Sequence, residues 1–218
     1  SEGIFSDCRK ITGSKQSLTD DDFFLKELHS SEKWPAFLQT AVEKKRTIVI
    51  CGETGSGKTV LTRALLKSLH KDERVIILED VHEVTVDHVV EAVYMMYGDA
   101  GKIGRVSATD ALRACMRLTP GRIIMTELRD DAAWDYLKAL NTGHPGGVMS
   151  THANSARDAF NRIGLLIKAT PIGRMLDMSD IMRMLYSTID VVVHMEKRKI
   201  KEIYFDPEYK MQCVNGSL

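Results

Sequence analysis

Thr47-Ile-Val-Ile-Cys51-Gly52-Glu53-Thr54-Gly55-Ser56-Gly57-Lys58-Thr59, with the run on to His70, decides the fold. Thr47–Cys51 is short, apolar and β-branched, and Gly52 closes it, so it reads as a buried strand. Lys58–His70 carries Leu61, Ala64, Leu65 and Leu69 at helical spacing. The loop between them, Gly52–Thr59, satisfies G-x-x-x-x-G-K-[ST]. Glycines permit unusual backbone angles and the close approach of a phosphate. The backbone N–H groups of Gly52, Glu53, Thr54, Gly55, Ser56 and Gly57, with the positive end of the following helix, form a cradle for an anion. Lys58 is placed to reach β and γ phosphates, and the Thr59 hydroxyl to meet Mg²⁺. The expected ligands are ATP and Mg²⁺.

Outward from this loop, strands and helices alternate. Val75–Leu78, Arg122–Thr126 and Val148–Thr151 read as further strands, and Thr109–Leu118, Ala132–Leu140 and Ala156–Lys168 as helices, the last with Ser155 as N-cap. Asp87–Tyr97 also reads as a helix, ending near Gly98. Asp190–Glu196 and Ile200–Asp206 flank Lys197-Arg198-Lys199 in the pattern of a β-hairpin. The alternation predicts an α/β domain with a mainly parallel sheet and helices on both faces, plus the C-terminal hairpin. Ligands of such sheets sit at the carboxyl ends of the strands. The phosphate loop, the acidic cluster Glu79/Asp80/Glu83, Glu127 and His152 each follow a strand end.

Residues 1–22 are polar and without clear periodicity, and read as a linker or the remnant of a preceding domain; residues 23–218 form the expected motor domain. The Met-rich stretch Met175–Met184 fits a packed helix or a partner-docking surface. Lys197–Lys201 reads as a solvated turn, with lipid-headgroup contact as the alternative.

Composition bounds the function. Among 218 residues, Lys+Arg and Asp+Glu each number 30. Zero net charge argues against sequence-independent binding of nucleic acid. Cys8, Cys51, Cys115 and Cys213 are scattered and form no Cys-x-x-Cys pair, which disfavours a zinc or dithiol site and fits a reducing compartment. No apolar run approaches the roughly 18–20 residues that span a bilayer. A GTPase should carry N-K-x-D, which does not occur in this sequence, and the arginines do not gather in a kinase-like lid. Glu127, at a strand end, suits ordering Mg²⁺ or the attacking water. On spacing alone, Glu79, Asp80 and Glu83 fit a polar loop as well as a catalytic one.

The runs Leu118-Thr-Pro-Gly-Arg-Ile-Ile-Met-Thr-Glu127-Leu-Arg-Asp130, Leu140-Asn-Thr-Gly-His144-Pro-Gly-Gly and Ser150-Thr-His152-Ala-Asn154-Ser, with the phosphate loop, resemble the type II/IV secretion ATPases, and most closely the VirB-type traffic ATPases of type IV secretion. The resemblance spans roughly residues 37–168. It implies a RecA-like motor forming a ring, usually a hexamer, that works with other secretion subunits at the cytoplasmic face of the inner membrane. By the same resemblance, Glu83 matches the acidic residue that polarises water, Glu127 the Walker B glutamate, and His144 and His152 a histidine pair whose second member senses the γ phosphate. Pro120-Gly121-Arg122 and Thr126-Glu127 stand where the family commonly has Pro-Asp-Arg and Gly-Glu. Cys8–Ile11 resembles the last strand of an N-terminal domain, so a truncated form is expected. Pilus or type II secretion motors, a nucleotide-dependent scaffold with weak hydrolysis, and a DNA motor are the alternatives.

Overall fold

The computed structural model describes residues 15–98, 106–129 and 132–216. Seven strands form one sheet: β1 (Ile48–Cys51), β2 (Arg74–Glu79), β3 (Glu91–Met96), β4 (Arg122–Met125), β5 (Val148–Thr151), β6 (Val191–Glu196) and β7 (Lys199–Phe205). Their order is β3-β2-β4-β5-β1-β6-β7. All neighbours are parallel except β6 and β7, which form the antiparallel hairpin. The central strands β1, β2, β4 and β5 are almost wholly buried because both faces are covered, whereas the edge strands β3 and β7 are partly exposed. Alternate residues enter different cores. Val49, Cys51, Ile76, Leu78, Ile123 and Met125 face one cluster; Ile48, Ile50, Val75, Ile77, Ile124 and Val148 face the other.

The first core is covered by α4 (Ala108–Met116), α5 (Ala133–Asn141), α6 (Ala156–Ala169) and α7 (Met178–Thr188). The second is covered by α1 (Asp20–Ser30), α2 (Trp34–Glu43) and α3 (Lys58–Leu66). Helix α8 (Pro207–Asn215) follows β7. Ser155 caps α6 as the sequence suggests, accepting a hydrogen bond from Asp158 N. From Met178 on, the Met-rich stretch is helix α7, which buries Ile181 and Leu185; Met175 ends a preceding 3-10 turn (Gly173–Met175) and is exposed.

One expected element changes type. Within Asp87–Tyr97, expected as a helix, Glu91–Met96 is instead strand β3, paired residue for residue with β2 from Arg74↔Glu91 to Glu79↔Met96. The segment is rich in β-branched and aromatic residues, and on a strand Ala92 packs on one core while Val93 and Met95 pack on the other. Pairing with β2 also satisfies backbone groups that an isolated short helix would have to satisfy by itself.

The stretch read as a linker overlaps the fold. Helix α1 starts at Asp20, capped by a reciprocal Thr19–Asp22 box, and the Asp22 carboxylate is buried against Arg46 at 2.9 Å. The strand expected near Cys8–Ile11 lies outside the described residues.

Candidate functional site

Parallel packing brings the carboxyl ends of β1, β2, β4 and β5 to one edge. The phosphate loop leaves β1 there. Gly57 is the N-cap of α3 with φ of 100°, and a side chain at this residue would crowd the Arg198 backbone at 3.3 Å. At Gly52 a Cβ would lie 2.4 Å from the Met195 carbonyl oxygen. Both glycines are therefore required by the β6–β7 turn, whose Arg198 N–H also donates to the Ser56 carbonyl at 3.0 Å. The turn expected to be merely solvated is the wall of the phosphate loop. Together they border a hollow of about 670 Å³ that Asn154, Lys197 and Lys201 also line.

The groups at this edge pair with one another. Lys58 Nζ donates to the carbonyls of Gly52 and Glu53 at 2.8 and 2.9 Å and lies 3.5 Å from His152 Nδ1. Burial holds its pKa below the usual lysine range, against the opposing pull of the Glu127 carboxylate. The Thr59 hydroxyl donates to Glu83 Oε2 at 3.0 Å. Glu127 is shared between His152 Nε2 at 3.3 Å and Arg129 at 3.2 Å, and Arg129 also bonds Asp80.

The acidic cluster divides. Glu79 is fully buried; its Oε1 accepts from the backbone N–H groups of Glu83 and Val84, and its Oε2 meets His82. It shapes the loop that presents Glu83, which Arg63 fixes from α3 by donating to the Glu83 carbonyl at 2.7 Å. Tyr97 similarly holds the Glu127 carbonyl at 2.8 Å. Sequence spacing did not distinguish Glu79 from Glu83; Arg129 lay in the quoted family run without an assigned role, and Arg63 carried no motif. The two histidines part company: His152 stands at the phosphate edge, whereas His144 precedes β5 and contacts the Pro120 carbonyl at the opposite end of the sheet.

These residues suit a nucleotide with Mg²⁺. Ser56 Oγ, in the loop wall, is buried and without a hydrogen-bond partner among the described atoms. Thr59, Glu83 and Glu127 offer only oxygen donors, as Mg²⁺ prefers. Among the described residues no group of three or more His, Cys, Asp or Glu forms a metal cage. Mg²⁺ needs none, since it uses one or two protein oxygens with phosphates and water.

The model of the family described as "Type II/IV secretion system protein" matches residues 15–202. The chain is 36% identical over 219 residues to the type IV secretion system protein VirB11 of Brucella suis biovar 1, covering 96% of this chain and 60% of that protein. It is 40% identical over 167 residues to the type IV secretion system protein PtlH of Bordetella pertussis, covering 76% of this chain and 49% of that protein. Among solved structures, the VirB11 ATPase of the Brucella suis type IV secretion system in complex with sulphate is similar with a TM-score of 0.87 and 34% identity, over 98% of this chain and 63% of that one. The pilus retraction motor PilT with bound ADP is similar in fold, with a TM-score of 0.60 at 22% identity over 80% of this chain and 51% of that one. The chain thus spans about three fifths of the VirB11 relatives' length.

Proposed function

Because the chain belongs to the type II/IV secretion system protein family, we propose that residues 23–218 are the ATP-hydrolysing motor domain of a bacterial type IV secretion system. The carrying observation is the convergence of Lys58, Thr59, Glu83, Glu127 and His152 on one edge of the sheet, four strand ends contributing. In this reading the phosphate loop Gly52–Thr59 grips the polyphosphate with backbone N–H groups and Lys58. Bound Mg²⁺ would neutralise charge on the phosphate oxygens, held by the Thr59 hydroxyl with Glu127 behind it.

Glu83 orients a water and takes up its proton. The water oxygen bonds to the γ phosphorus as the bridging bond breaks and its electron pair leaves with ADP. Such base assistance supplies typically 10²–10⁴-fold. His152, between Lys58 and Glu127, registers whether the γ phosphate is present. Arg129 is already committed to Asp80 and Glu127. The remaining transition-state charge is then met by an arginine from another domain or a neighbouring subunit of a ring, for which a hexamer is the expected form; such a finger is worth 10³–10⁵-fold. From the family likeness we place the motor peripherally on the inner membrane's cytoplasmic face, beside other secretion subunits; among the described residues no helix is long and apolar enough to cross a membrane.

Calorimetry with Mg-ATP tests the core of this reading. The chain should bind with a stoichiometry of one, and Lys58→Ala should weaken binding by at least tenfold while the thermal midpoint stays near its starting value. Equal binding by both proteins would end the nucleotide reading.

A further inference from the structure

At the same edge of the sheet lies a second and smaller hollow, which His152 lines. Its volume is about 220 Å³, and it is lined by Glu127, Leu128, Arg129, Thr151, His152 and Arg162. Three of these six side chains are cationic or can become so, and only Glu127 is acidic. That carboxylate is already shared between His152 and Arg129. Arg162, exposed on α6, carries no hydrogen bond or ion pair among the described residues. Its positive charge is therefore uncompensated at the rim, although surface arginines commonly find a carboxylate within reach.

His152 lines this hollow and stands beside the phosphate-loop lysine. Its Nδ1 lies 3.5 Å from Lys58 Nζ, the group that reaches the terminal phosphates in the reading above, and its Nε2 faces Glu127 at 3.3 Å. An oxyanion released at the γ position has the phosphate-loop backbone on one side and this arginine-lined hollow on the other. Guanidinium groups match the oxygens of a phosphate in geometry and charge, and can donate two parallel hydrogen bonds.

From this placement the geometry assigns the hollow as a binding site for a free tetrahedral oxyanion, the inorganic phosphate produced by hydrolysis, which waits there after leaving ADP. Arg162 is the anchoring residue, His152 lines the hollow beside Lys58, and Arg129, held by Asp80 and Glu127, forms part of its wall. The assignment rests on the proposed nucleotide reading for the source of the phosphate, but not for the site itself. A site of this kind lets phosphate leave sideways while ADP still occupies the loop, so the two products depart in order.

The test is a titration of inorganic phosphate into the chain saturated with Mg-ADP, followed by calorimetry and ³¹P resonance. One phosphate per chain should bind. Arg162→Gln should weaken it at least tenfold, with ADP affinity changed less than twofold; Arg162→Lys, which keeps the charge but not the paired donors, should fall between the two. Because Arg162 is exposed and unpaired, neither variant removes a packing or hydrogen-bond partner, and thermal melting checks this. Phosphate uptake that vanishes once ADP is bound, or that is the same in Arg162→Gln, overturns the assignment. Should ADP itself fail to bind, the nucleotide reading falls separately. The same comparison is then made without nucleotide in a Lys58→Ala background, where loss of phosphate on adding Arg162→Gln sustains the site and no loss removes it.

Discussion

The two ends of the sheet both carry charged side chains, yet they are built on opposite principles. At the amino ends of the strands, Arg122 is fully buried with its donors placed: Nε and one terminal nitrogen on Glu73, and the rest on the carbonyls of Val42 and Gly146 at 3.0 and 3.2 Å. Nearby, Asp190 is 8% exposed; it accepts from the Thr47 N–H at 2.8 Å and pairs with Lys210 and Arg46. At the carboxyl ends, buried Glu79 apart, the charges are partly exposed and paired provisionally. Lys58 spends its protons on backbone carbonyls, and Glu127 is divided between two partners. Saturation makes the first end structural. Replaceable partners leave the second free to exchange them for a ligand. Charge density alone does not tell a site from a clasp; the quality of the existing bonds does.

That contrast can be broken by substitution. The largest effect is expected at the open end, from Glu83→Gln. Turnover should fall by roughly 10²–10⁴-fold, with Mg-ATP affinity and thermal midpoint close to the starting chain. Near-normal turnover in a phosphate-release assay would remove Glu83 from the mechanism. At the closed end, Arg122→Ala should leave Glu73 without its guanidinium and remove the guanidinium donors from the Gly146 and Val42 carbonyls, of which Val42 keeps the Lys45 N–H. Breaking a buried pair in this way costs about 3–5 kcal/mol, read as a lowered denaturant midpoint. A stability loss below about 1 kcal/mol would mean the clasp is not what the geometry says.

A smaller effect sharpens the comparison through pH. The Lys58 pKa is depressed in the free chain, first by burial. A bound polyanion favours the charged ammonium and raises that pKa. Nucleotide binding should therefore take up a fraction of a proton as pH rises into the depressed lysine range, and affinity should weaken above it. Calorimetry from about pH 7 to about pH 10, in buffers of different ionisation enthalpy, reads both signs. Proton release on binding, or an affinity that strengthens with pH, would contradict the placement of Lys58 against the ligand.

Much of this was legible before any coordinates. The loop Gly52–Thr59, its flanking strand and helix, and five later strands, the hairpin pair included, are local patterns of composition and period, and each lies where the sequence placed it. The strand Glu91–Met96 was not, because its apolar spacing fits a helix too, and only the edge of β2 decides between them. Helices α1 and α2 carried no motif and passed unread.

What sequence determined by itself is therefore the phosphate loop, the alternation of elements and the family likeness, because these depend on neighbours along the chain. The family likeness already singled out Glu83 and His152; tertiary structure buried Glu79 against backbone N–H groups, put His144 at the opposite end of the sheet, set the β6–β7 turn against the phosphate loop, and left Arg162 facing a hollow. Identical side chains acquire different roles according to burial and to partners brought together by strand order, and strand order is fixed by packing across the whole sheet rather than by any short stretch of residues.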